Sequence, residues 1–112
     1  MNTVQLTLVR ARQIITPPEA WTQGEFARDK DLRPVAAISD EAVCFCGFGA
    51  NERAVFELFD GETRLVHENA ANRLLRRALR LGGSSLVFSD FNDTATHAEV
   101  LAVFDKAIEE TS

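Results

Sequence analysis

Tyrosine is absent from this 112-residue chain, tryptophan and methionine occur once each, and there are two cysteines and three prolines. Two cysteines separated by one residue, Cys44 and Cys46, cannot tie distant segments together, which excludes the disulfide framework of a small secreted domain. The longest apolar runs, Ala42–Cys46 and Val100–Phe104, fall far short of the ~20 residues of a membrane-spanning helix. The first residues alternate polar with apolar from Thr3 to Leu8 and lack the continuous apolar stretch of a signal peptide, so a cytoplasmic setting without a membrane partner is expected. No Gly-Lys-Ser or Gly-Lys-Thr loop is available to cradle a nucleotide phosphate. Gly47 and Gly49 are followed by Glu52 where a dinucleotide fingerprint needs a third glycine. His67 and His97 do not combine with the cysteines in a zinc spacing, so no metal or other cofactor is expected.

What is present is an ordinary globular composition. Hydrophobic residues make up 46% and charged residues 26%, and twelve basic against seventeen acidic side chains give a net charge of −5. One domain spanning 1–112 is expected, with no internal repeat or linker. Val4, Leu8, Ala11 and Ile15 recur at helical spacing and predict a helix over Thr3–Ile15, stopped by Pro17 and Pro18. Trp21–Arg28 and Val35–Ile38 flank a polar turn, Asp29–Pro34, and predict a small hairpin anchored by Trp21 and Phe26. Ser39, followed by Asp40 and Glu41, predicts the start of a second helix, in which Val43, Cys46, Gly47, Ala50 and Ala54 form a stripe of small residues that a neighbouring helix approaches closely. Val66, Ala70, Leu74, Ala78 and Leu81 predict a third helix ending at Gly82 and Gly83. Ser89–Asp93 reads as loop. Thr96 with Glu99 forms a capping box that opens a last helix, His97–Glu110. The expected fold is mainly α with a small β-hairpin, about four helices packed around the central small-residue helix.

Three groups of residues bear on function. Arg73, Arg76, Arg77 and Arg80 lie at i, i+3, i+4 and i+7, along one side of a helix, in a segment (61–83) with five basic and two acidic side chains. Guanidinium forks suit nucleic acid, an anionic ligand or an acidic protein. The plainer reading is a solvated face, or one paired with Glu52 and Glu57 or with Asp105, Glu109 and Glu110, within the fold or across a homo-oligomer. No aromatic residue interleaves with the row, which argues against base stacking. Cys46, His97 and Asn92 or Asp93 supply the residue types of a cysteine hydrolase or transferase: nucleophile, base and orienting group. The plainer reading is a packed cysteine and a surface histidine, with no catalytic residue at all. A non-catalytic binding or protein-interaction module, its partner or ligand unidentified, is therefore the leading expectation.

Trp21–Gly24 (W-x-x-G), Cys46–Ala50 (C-x-x-G-A) and Phe91–Asp93 (F-N-D), in that order, resemble an uncharacterised bacterial and phage domain family. The similarity extends through Ala27–Asp29, Pro34–Val35, and Thr96, Glu99, Val100, Phe104, Asp105, Ala107 and Ile108. Leu32 departs from it, standing where members often carry a turn glycine. The resemblance implies a compact, mainly helical domain encoded on a bacterial or prophage genome, and implies no activity.

Overall fold

A computed structural model describes residues 1–111. The elements are α1 (Thr3–Ile15), a 3-10 turn (Pro18–Ala20), β1 (Ala27–Arg28), β2 (Cys44–Phe45), α2 (Gly47–Leu58), α3 (Thr63–Leu81), α4 (Phe88–Thr94) and α5 (His97–Glu110). The mainly helical fold with a small antiparallel pair of strands is as the sequence predicts. α1 packs against α2, α3 and α5, and α3 packs against α2, α5 and α4. The core runs through Leu8, Ala11 and Ile15 of α1, Ala50 and Ala54 of α2, Ala71 and Leu75 of α3, and Val100, Phe104 and Ala107 of α5, all 0% exposed. Alanines at so many contact positions allow close helix approach, and Leu8, Ile15, Leu75 and Phe104 fill the space that remains.

Local chemistry sets the helix ends. Asn2 caps α1 through a 2.8 Å bond from the Gln5 amide. Thr96 and Glu99 exchange both bonds of the predicted capping box. α3 closes at Gly83, whose φ of +93° a residue with a Cβ rarely adopts. Inside the bundle, the Asn51 amide of α2 donates to Asn72 Oδ1 of α3 at 2.9 Å.

Several expectations change. The second helix begins at Gly47, eight residues after Ser39. Ser39 instead shapes a turn by accepting from the Glu41 amide, and Cys44–Phe45 extend to pair with Ala27–Arg28 in the register Ala27↔Phe45, Arg28↔Cys44. Cys44 and Cys46 therefore do not lie on a helix, and Val43 is exposed. Val35–Ile38 is not a strand: its contact with β1 is the Val35 amide donating to Ala27 O at 3.1 Å, beside a single bridge Arg28↔Pro34, and β1 takes Cys44–Phe45 as its partner instead. The Asp29–Pro34 turn itself is present. Asp29 Oδ1 accepts from the Asp31 and Arg33 amides, and Leu32 takes φ +64°, the left-handed geometry that a glycine would meet without strain.

Ser89–Asp93 lies within α4, a two-turn helix that buries Phe88 and Asn92. The buried face of α3 is Ala71, Asn72, Leu75, Ala78 and Leu79, about one residue's rotation from the predicted stripe. Val66 and Leu81 are consequently exposed, and of that stripe only Ala78 is fully buried. Phe26, proposed as an anchor, is 58% exposed, whereas Trp21 is partly buried against the core.

Candidate functional site

Asn92 is the point where three distant segments meet. Its Oδ1 accepts from the Trp21 indole and from the Gly47 amide, both at 3.0 Å, and its Nδ2 donates to Thr22 O at 3.1 Å. The neighbouring Asp93 accepts from the Gly24 amide at 2.8 Å, and Gln23 donates to the Asn92 and Ala95 carbonyls. W-x-x-G, C-x-x-G-A and F-N-D, separate in sequence, are thus one hydrogen-bonded assembly. Asn92 is 1% exposed, so its bonds to Trp21, Gly47 and Thr22 satisfy side-chain atoms that would otherwise be buried without a partner.

Cys46 stands beside this assembly as the N-cap of α2. Its Sγ accepts from the Gly49 amide at 3.3 Å. Gly49 is required there, because a Cβ at that position would lie 1.9 Å from Phe26 O. Burial pushes the Cys46 thiol pKa up, and the nearby Asp93 carboxylate raises it further, outweighing the lowering effect of the helix-start amides. At neutral pH the sulfur is a thiol rather than a thiolate. Cys44 is buried, with its Sγ 3.9 Å from Arg28 O.

A cleft of about 160 Å³ opens at Cys46, lined chiefly by Phe26, Phe48 and Phe88 with Ser89 and Asp93. His97 does not line it. The His97 Nε2 lies 2.6 Å from Ile15 O, and its ring packs on Trp21 with centroids 5.6 Å apart. Of the candidate catalytic residues, the structure brings Cys46, Asn92 and Asp93 together and puts the imidazole to other use. His67 is also occupied, its ring tilted against that of Phe59 with centroids 4.1 Å apart.

Arg73, Arg76, Arg77 and Arg80 of α3 are all exposed. Among the described residues the ion pairs are Arg10–Glu57, Arg12–Asp105, Arg64–Asp60 and Lys106–Glu110, so Glu57, Asp105 and Glu110 are engaged elsewhere and the row is unneutralised. Arg76 lies over the Phe48 ring at 5.1 Å. Arg76 and Arg80 border a second groove of about 520 Å³, completed by Gly83–Phe88. That segment carried no sequence signal; its Ser84–Ser85 pair after the two glycines was the available clue. Among the described residues no three His, Cys, Asp or Glu side chains are grouped to hold a metal ion, and no helix is long and apolar enough to cross a membrane.

The chain belongs to the family of unknown function DUF6197, whose model matches residues 1–110. No curated protein and no solved structure matches it.

Proposed function

Proceeding from membership of that family, we propose that the domain is a non-catalytic interaction module that engages an acidic protein partner through the arginine face of α3, in the cytoplasm of a bacterium or its prophage. The observation that carries this reading is the state of Arg73, Arg76, Arg77 and Arg80. All four are exposed and, among the described residues, none forms an ion pair, in a chain with a surplus of carboxylates, whereas Arg10, Arg12, Arg64 and Lys106 are paired within the fold. An unneutralised row steers and orients an oppositely charged surface, at a modest cost in repulsion between neighbouring arginines. An acidic protein is favoured over nucleic acid because the aromatic rings nearest the row, Phe48 and Phe88, are stacked on each other and unavailable to bases.

A fluorescent oligoglutamate peptide and a single-stranded oligonucleotide, titrated at several salt concentrations, test the reading. The peptide should bind with affinity that falls as salt rises, and Arg73→Ala with Arg77→Ala should weaken binding and flatten that dependence. Binding unchanged when Arg73, Arg76, Arg77 and Arg80 are all replaced by alanine, or preference for the oligonucleotide, would count against it. The competing hydrolase reading draws no comparable support, since Cys46 is a half-buried thiol with its pKa raised and His97 faces Ile15 and Trp21.

A further inference from the structure

The Cys46 cleft and the arginine groove share a wall. Phe88 lines both, its ring stacks on Phe48 with centroids 4.7 Å apart, and the Arg76 guanidinium lies over Phe48 in turn. We propose that the two form one composite site for a short extended segment of an acidic partner protein. Two carboxylates at alternate positions of that segment engage Arg76 and Arg80, and the next side chain on the same side, two residues further on and apolar, enters the cleft beside Cys46. This deepens the acidic-partner reading and rests on it.

The spacing supports an extended segment. Arg76 and Arg80 are four residues apart on one helix, about 6 Å along its axis. Alternate side chains on one side of an extended chain repeat at about 6.6 Å. Stacking on Phe48 occupies the face of the Arg76 guanidinium and leaves its edge N–H groups free to grip a carboxylate. Ser84 and Ser85 border the same groove with hydroxyls able to donate, and the exposed Leu86 and Val87 supply an apolar rim.

The cleft has the opposite chemistry. Its surface is mostly aromatic, and its polar atoms are largely committed: Asn92 to Trp21, Gly47 and Thr22, Asp93 Oδ1 to Gly24, and Cys46 Sγ to Gly49. An uncharged side chain desolvates little there. A carboxylate would meet Glu25 and Asp93, which repel it. Attraction at one end and repulsion at the other set the direction and register in which the segment lies.

Peptides resolve this directly by fluorescence anisotropy: Gly-Asp-Ser-Asp-Ser-Leu-Gly, a control with adjacent aspartates (Gly-Ser-Asp-Asp-Ser-Leu-Gly), and a control with serine for leucine. The first should bind about tenfold more tightly than either control, and Arg76→Ala or Arg80→Ala should each cost about tenfold. Ser89→Trp, at an exposed position on the cleft, should erase the preference for leucine with the thermal melt unchanged. Bound peptide should also slow alkylation of Cys46 by N-ethylmaleimide. Equal binding of all three peptides, or dependence on Arg73 and Arg77 without Arg76 and Arg80, overturns the composite site and leaves the acidic-partner reading standing. Failure of every acidic probe, or tighter binding of inorganic phosphate or an oligonucleotide, overturns both.

Discussion

The Trp21 indole N–H donates to Asn92 Oδ1 at 3.0 Å, joining residues 71 positions apart. Because the same oxygen also accepts from Gly47, one amide holds the Trp21 segment against the start of α2. Asn92→Ala removes the acceptor for two donors and the donor to Thr22 O. It should cost about 2–3 kcal/mol in urea unfolding. Asp93→Asn, at an exposed position, retains an acceptor for Gly24 and should cost under about 1 kcal/mol. Equal losses for the two would show that Asn92 is not the hub.

Gly49 and Gly47 test close packing at the start of α2. A Cβ at Gly49 would meet backbone, Phe26 O at 1.9 Å, whereas one at Gly47 would meet the Phe88 ring at 2.6 Å. Both alanine variants should lose stability, about 1–3 kcal/mol for Gly47→Ala and at least as much for Gly49→Ala, since a side chain yields more readily than a backbone carbonyl. A Gly49→Ala protein as stable as the parent would contradict the described approach of Phe26.

The Cys46 thiol should be sluggish. With Cys44→Ala as background, its iodoacetamide rate should rise with pH to a midpoint above that of free cysteine, and at neutral pH it should trail free cysteine by about tenfold. A midpoint below the free value would reveal an activated nucleophile and revive the enzyme reading.

Stability and binding should separate in the arginine row. Arg73→Ala with Arg77→Ala breaks no ion pair and should change unfolding free energy by less than about 0.5 kcal/mol while weakening acidic-peptide binding. A large loss of stability would assign the row to the fold instead.

Glu52 and Glu68 are half-buried, and burial raises both carboxyl pKa values, with Glu52 further raising that of Glu68. The folded state then holds more protons than the unfolded chain just above the ordinary glutamate pKa of about 4.3, so this pair's contribution to stability declines as pH rises through that window. Glu52→Gln and Glu68→Gln should each stabilise the protein at pH 7 by about 0.5 kcal/mol, an advantage that vanishes near pH 4. A pH-independent gap between variant and parent urea midpoints would exclude the electrostatic cause.

Elements governed by short-range chemistry were legible in the residues themselves. α1 and α5 occupy their predicted ranges because apolar residues recur at helical spacing and because Pro17, Pro18 and the Thr96–Glu99 box act within a few positions. α3 also ends at the predicted glycines, yet its inward face was misjudged. A helix with apolar residues on adjacent lines can turn either toward the core, and packing of Ala71, Leu75 and Ala78 decided it.

Partnerships across long separations were decided only in three dimensions. Ser39 satisfies local capping preferences, but pairing of Cys44–Phe45 with Ala27–Arg28 keeps that segment extended and defers α2 to Gly47. The three motifs could be recognised individually, whereas their convergence on Asn92 could not. Composition and periodicity determined a charged, alanine-rich helical domain. Loop paths between helices determined that Cys46 faces aromatic rings instead of an imidazole, because a side chain's chemistry depends on neighbours that its own stretch of sequence does not choose.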